Sequence, residues 1–308
     1  MAADSKRSAA GGTCNVALTI ITLLASTVNG ALGYGFSSIT VPLALLFLTN
    51  RVLNPALVLI EVPLNAYALF VNRDGLPAVW WRVAPLIVGL VPGIVAGALI
   101  VSRVNPSWVK LGSFTVLLPL IILQAAGHRR PVRSERSAGL AFGGGLGVLY
   151  AVTTISGPPL AVALSNQGFA KREFRAALGL VRLAESSLTA TAYVATGMVA
   201  ARSLALIPLI LPSVAIGVPI GAWMIRHVRV ETFRRLCMSF DAWIVAFGIS
   251  LLLRELQIMA GFFGFIVLAT VAVIDVGLLY RFFSITPSEP RAGAHALESA
   301  TRASGTAA

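Results

Sequence analysis

Charge is scarce in this chain. Lys, Arg, Asp and Glu make up 12 % of its 308 residues and hydrophobic residues 57 %, against about a quarter charged in ordinary globular proteins. A soluble domain of this size cannot hide so much apolar surface in one core, so the shortage excludes a soluble fold and puts the chain in lipid. Acids are scarcer still, 12 against 24 Lys and Arg. The positive excess is gathered in the gaps between apolar runs, which is the positive-inside pattern of membrane proteins and excludes nucleic acid as a partner. Cysteine is almost missing: Cys14 and Cys237 lie far apart, with neither metal-ligand spacing nor a disulfide framework. The three histidines, His128, His227 and His295, fall in loops or the tail, which leaves no buried metal site and no His-based catalytic dyad. No P-loop is present, so the chain does not itself hydrolyse nucleotide. Neither cofactor nor metal is expected.

What is abundant is apolar sequence in long runs, at about 15–49, 56–72, 83–102, 107–126, 138–165, 174–200, 203–225, 236–253 and 257–280. Lys6 and Arg7 precede the first run, but it continues past the length of a signal-peptide core without a clean cleavage site, so it reads as retained. A helix needs about 20 residues to cross the hydrocarbon. The first run, as one helix, would extend roughly 52 Å at 1.5 Å per residue, and the fifth is long as well. Both are interrupted. The first carries Gly33, Gly35, Ser37, Ser38, Thr40 and Pro42; the fifth carries Thr153, Thr154, Ser156, Gly157, Pro158 and Pro159. Proline removes a backbone donor and glycine permits non-helical geometry, so two broken helices are expected. Irregular backbone at membrane depth survives only where protein or a wet cavity surrounds it.

The two halves repeat each other. At an offset of 117, Gly30, Leu32, Ser37, Pro42, Leu43 and Ala44 meet Gly147, Leu149, Thr154, Pro159, Leu160 and Ala161. At 124, Glu61, Leu64, Ala66 and Ala68 meet Glu185, Leu188, Ala190 and Ala192, and Gly93 and Gly97 meet Gly217 and Gly221. Acids are so few that Glu61 landing on Glu185 is the informative match. Charge bias then sets topology. If 138–165 dips into the membrane and returns, the cluster Arg129, Arg130, Arg133, Arg136 shares the cytoplasmic face with Lys171, Arg172, Arg175 and with Arg226, Arg229, Arg234, Arg235. Giving 15–49 the same form makes each half a re-entrant pair plus three crossings, with the run 257–280 following the second set, and an odd number of crossings in the first half inverts the second. A first run that crosses completely fits almost as well. The fold expected is an all-α polytopic membrane protein of two inverted repeats. Its parts are a polar N-terminus (1–14), repeat 1 (15–126), a basic cytoplasmic loop (127–137), repeat 2 (138–285) and a disordered tail (286–308).

Inverted repeats with helices broken near the midplane are a recurring transporter plan. A break exposes backbone N–H groups and the positive end of a helix dipole, and the hydroxyls of Ser37, Ser38, Thr40, Thr153, Thr154 and Ser156 add uncharged donors. Such a site suits a small anion, with Gly33, Gly35 and Gly157 shaping the backbone. Arg182 lies about eight residues into the sixth run, roughly 12 Å deep by helical rise, and is read as the anion-attracting cation. Glu185, three residues on, and its repeat partner Glu61 are candidate proton carriers. A structural Arg182–Glu185 pair is the competing reading. Asp241, Asp275, Arg254 and Glu255 are placed at the membrane interface. The series Gly89, Gly93, Gly97 and Gly139, Gly143, Gly147 has small-xxx-small spacing and is read as helix packing.

The block Ile155, Ser156, Gly157, Pro158, Pro159, followed by Gly168, Lys171, Arg172, Glu173, Phe174 and Arg175, resembles the second-half signature of the TauE/SafE-type sulfite exporter family. The block from Gly33 to Pro42 resembles the matching first-half motif, with Tyr34 inside what is often a run of glycine alone. The resemblance spans roughly 16–280. It implies an integral transporter of the bacterial inner membrane that moves sulfite, sulfonates or related small organic or sulfur-containing anions, in the export direction. The partners expected are that anion, the lipid bilayer and coupling protons. A membrane-embedded enzyme or a structural membrane protein is the rival class, and the chain offers the former no nucleophile–base arrangement.

Overall fold

The apolar runs fold as helices. The computed structural model describes residues 2–125, 135–167, 169–224, 227, 230–259 and 261–285, and no strand occurs among them. The basic loop at 127–134, Gly168, Arg226, Arg229 and the tail from 286 lie outside the described residues. The chain is an all-α polytopic membrane protein. By length and composition, five helical segments can each cross a bilayer: Cys14–Leu32, Asn50–Val71, Arg73–Arg103, Ala201–Met224 and Gly261–Ser284.

The first half consists of α1 (Ala2–Leu32), α2 (Phe36–Ala44), α3 (Asn50–Val71), α4 (Leu76–Arg103) and α5 (Pro106–Ala125). The second has α6 (Glu135–Thr153), α7 (Gly157–Asn166), α8 (Lys171–Ala195), the single turn α9 (Ala201–Leu204), α10 (Ile207–Met224), α11 (Val230–Glu255) and α12 (Ile266–Ile285). Helix α1 reaches Ala2, well before the apolar run begins. The breaks are shorter than the sequence suggests. Gly33 and Gly35 stop α1 with φ of 82° and 111°, a region open to glycine at no steric cost, whereas Pro42 sits inside α2. In the second half Thr154 turns the chain with φ 56°, and a proline falls in the first turn of α7, where its missing N–H is not needed.

Glycines set how the helices pair. Positions 89, 93 and 97 of α4 face Leu140, Gly144 and Val148 of α6 in that order, so α4 and α6 run parallel. A β-carbon at Gly89 or Gly93 would overlap the facing carbonyl oxygen. Helices α1 and α10 pair in the same manner: Gly217 faces Leu23 and Ser26, and Gly221 faces Thr27 and Ala31. Each broken segment therefore lies along a glycine-rich helix of the opposite half.

These contacts also show where each broken segment goes. A β-carbon on Gly139, near the start of α6, would lie 3.4 Å from Pro85, and just beyond α7 the Gln167 carbonyl accepts from Arg82 Nη2 at 2.8 Å. Both ends of α6–α7 thus stand beside the first turns of α4, and the chain doubles back at Thr154–Ser156. In the first half, the chain after α2 arrives at the far end of α4, where Arg51 donates to the carbonyls of Val101, Ser102 and Val104 at 2.8–2.9 Å.

Asp275 of α12 is buried against α11. It accepts from Arg235 Nη2 at 3.0 Å, Ser239 Oγ at 3.1 Å and Trp243 Nε1 at 3.1 Å, fixing α12 to α11. Arg254 and Glu255 are exposed. The side chain of Asp241 lies outside those described.

Candidate functional site

The two breaks touch. A β-carbon on Gly157 would stand 3.1 Å from Cβ of Tyr34, between the two glycines of the first break. Helices α2 and α7 both begin here, and neither has a side-chain cap. The opening N–H groups of α2 and the two positive dipole ends face one region, while α7 adds the Gly157 N–H alone, because Pro158 and Pro159 have none.

The three charged residues singled out from sequence meet at this place. Arg182 is 3 % exposed, and Glu61 and Glu185 are fully enclosed. Arg182 does not pair with Glu185. Its Nη2 lies 3.2 Å from Glu61 Oε1, across the boundary between the halves, and its Nη1 donates to Asn29 Oδ1 and the Gly33 carbonyl, each at 3.4 Å. Glu61 also accepts from Ser37 Oγ through Oε1 and from Tyr150 through Oε2, the latter at 2.5 Å. Glu185 accepts from Ser156 Oγ on Oε2, while its Oε1 has no partner. Each half therefore holds its acid with a serine from its own break. The serine at Glu185 is Ser156, two residues past Thr154, the position that pairs with Ser37 in the sequence repeat.

The remaining hydroxyls divide. Thr153 Oγ1 donates to Leu149 O at 2.7 Å and accepts from Ile155 N at 3.0 Å, and Thr154 Oγ1 donates to Thr153 O at 2.7 Å. Both shape the break and have turned to their own backbone. Ser38 is buried, and Thr40 Oγ1 is buried without a partner. A left-handed β-branched residue such as Thr154 costs about 1–2 kcal/mol, strain of the kind that collects at functional sites. The glycines Gly33 and Gly35 form the first turn, and Gly157 permits the contact with Tyr34.

Sequence reasoning missed Tyr150, Asn29 and Asn65. Asn65 Nδ2 donates to Arg182 O at 3.2 Å and to Ser186 Oγ at 3.3 Å. A lone Tyr or Asn in an apolar run carries no signal of its partner, although a buried Asn at membrane depth is costly enough to deserve a question.

A cavity of about 620 Å³ runs from this cluster, between α1, α3, α8 and α10. Asn29, Gly33, Asn65 and Arg182 line its deep end; Asn72 and the exposed Arg175 mark the other. The signature after the second break has a physical role at that end. Glu173 accepts from the Ala170 N–H at 3.0 Å and closes the first turn of α8, the helix that carries Arg175 at this end of the cavity.

A helical membrane protein with two broken helices and a buried Arg at the head of a cavity has the build of a transporter. The chain belongs to the TauE/SafE sulfite exporter family, whose description, Sulfite exporter TauE/SafE, matches residues 18–247. The match covers most of the chain and ends within α11, leaving α12 beyond it. This is a family of membrane transporters of sulfite-type anions. No curated protein and no solved structure matches the chain.

Proposed function

We propose that the chain is a multi-pass transporter of the bacterial inner membrane that exports a small anion, sulfite, a sulfonate or a related organic or sulfur-containing anion, with proton coupling. The observation that carries this is Arg182 at the head of the cavity, held by Glu61 of the opposite half. A guanidinium is a preferred partner for planar or tripodal oxyanions, and here it is already bound to a carboxylate. An arriving anion has to compete with Glu61 for it.

That competition supplies the coupling. The cluster holds one cation and two acids, so with both acids ionised it carries net negative charge in an apolar setting, a costly state that repels an anion. A proton on Glu61 removes its claim on Arg182 and leaves the guanidinium free for substrate. Glu185, one turn further along α8 and held by Ser156, is the second proton site. Gly33, Gly35, Ser37, Ser38, Thr40, Thr153, Thr154, Ser156 and Gly157 shape the breaks, and the opening N–H groups of α2, with the Gly157 N–H of α7, add donors to the oxyanion. The pairing of each broken segment with the other half supports the inverted-repeat reading. With 171–175 cytoplasmic, the cavity faces inward, as an exporter's loading state requires.

The test is an anion-flux panel in proteoliposomes, with and without a pH gradient. The expected result is flux of sulfite or sulfonates that responds to the gradient. A membrane-embedded enzyme or a structural protein would move none of them, and that result would end the reading.

A further inference from the structure

A tetra-atomic inorganic anion needs little room, yet the cavity below Arg182 measures about 620 Å³, within the ~300–1,000 Å³ of sites that enclose whole organic ligands. Its walls are unsuited to a bare, strongly hydrated ion. Between the polar ends they are formed by Leu64, Ala68, Leu178, Val214 and Val218 among other apolar side chains. Desolvating a free oxyanion against such walls is costly, and between the two ends Tyr67 is, among the described residues, the one polar side chain lining them that could replace its water. An apolar body, in contrast, gains from each carbon it buries there.

Charge is arranged to match. Arg175, Leu178, Gly179 and Arg182 all line the cavity at i, i+3, i+4 and i+7, one face of α8. The two guanidinium-bearing positions are two turns apart, about 10 Å of helix. Arg175 is exposed at the mouth and Arg182 buried at the end, so an anionic headgroup is drawn in at the first and held at the second, with the apolar wall between.

Resting on the transporter reading above, we infer that the substrate is an amphiphilic organic anion, one headgroup on a hydrocarbon body of several carbons, and not free sulfite. The headgroup sits at Arg182 and the body lies along Leu64, Leu178, Val214 and Val218 toward the mouth.

The experiment uses the full chain in proteoliposomes and measures counterflow of straight-chain alkylsulfonates from methane- to hexanesulfonate, the matching alkylcarboxylates, and sulfite. The half-saturating concentration is expected to fall by up to about fourfold per added methylene until the cavity is filled. Ala68→Trp and Val214→Trp should each shorten the longest chain accepted, while shorter members still move. Thermal stabilisation of the detergent-solubilised protein by the same series gives a readout independent of flux, with longer chains expected to raise the midpoint more. A flat series, or sulfite preferred over every sulfonate and carboxylate with the two Trp variants unaltered in preference, overturns the inference and leaves the transporter reading standing. Flux of none of these anions overturns both.

Discussion

At the residue scale the account turns on a contest for one guanidinium. Glu61 takes three polar contacts, from Arg182, Ser37 and Tyr150, while Glu185 keeps one oxygen free. Glu61→Gln, which mimics the protonated acid, should abolish the response to a pH gradient yet preserve anion-for-anion exchange; Glu185→Gln should do the same if it is the second carrier. Proteoliposome exchange with clamped internal and external pH reads both. Arg182→Gln should instead weaken apparent affinity by tenfold or more, the loss of one charge-assisted hydrogen bond worth about 1.5–3 kcal/mol. The structural alternative now concerns Glu61 and not Glu185. A purely structural pair would lose membrane expression in either single variant, since removing one partner strands a buried charge. It would regain expression in the Arg182→Gln, Glu61→Gln double variant, with transport still pH-coupled. That pattern would take both residues out of the mechanism.

Much at this scale was legible in the sequence. Arginine at membrane depth and an acid recurring at equivalent positions are rare enough to stand out from an apolar background. Partnership was not legible. Glu185 is three residues from Arg182 and shares its helix face, so local spacing favours it, but local spacing cannot weigh a contact delivered from the other half. Asp275 shows the same limit: its own run does not name its partner, Arg235, which reaches it at 3.0 Å from the neighbouring helix.

At the scale of elements, the breaks are where local sequence was most informative, because glycine, hydroxyl and proline residues in one short stretch leave a helix few ways to continue. Their register was less so. Pro42 belongs to α2 and the repeat pairs Ser37 with Thr154, but Ser156 is the residue that meets the acid. A repeat read from residue identity follows the aligned letters, while the hydrogen bond follows where the turn leaves the hydroxyl. Gly35→Leu would force a branched side chain to φ 111°, against Val28 Cγ1 3.1 Å from the β-carbon, at a cost of about 1–2 kcal/mol for the backbone alone. Ser156→Leu leaves Glu185 without its donor, worth about 1–3 kcal/mol. Each is expected to stop transport while membrane-inserted protein remains, checked by flux beside quantified expression and size-exclusion profile. Normal rates in both would reduce the breaks to packing kinks. The glycine seam is a separate matter. Gly143 has no room for a side chain against Leu86, so Gly143→Leu should part α4 from α6 and cut folded yield, a loss visible before any transport is measured.

At the scale of the whole molecule, the two halves are interlocked, each broken segment lying on a helix of the other. The inverted-repeat reading requires residues 129–136, 171–175 and 226–235 on one side of the membrane. Single cysteines at 133, 172 and 229, in a background lacking Cys14 and Cys237, should all be labelled by an impermeant thiol reagent from the cytoplasmic side only. Labelling of 229 from the periplasm with 133 protected would contradict the inversion.

The central claim is that the transported anion occupies the cavity below Arg182, and substrate protection tests it most directly. In the same cysteine-free background, Leu178→Cys places a thiol on the cavity wall between Arg175 and Arg182. Its modification rate is then followed in inside-out vesicles with increasing butanesulfonate or sulfite, and again with Arg182→Gln added. The account predicts that the thiol reacts from the cytoplasmic side, that at least one of these anions slows the reaction in a saturable manner, and that the protection weakens by tenfold or more without the Arg182 guanidinium. A thiol that reacts freely at every concentration of both anions, in a protein that still transports them, would place the anion elsewhere and contradict the account.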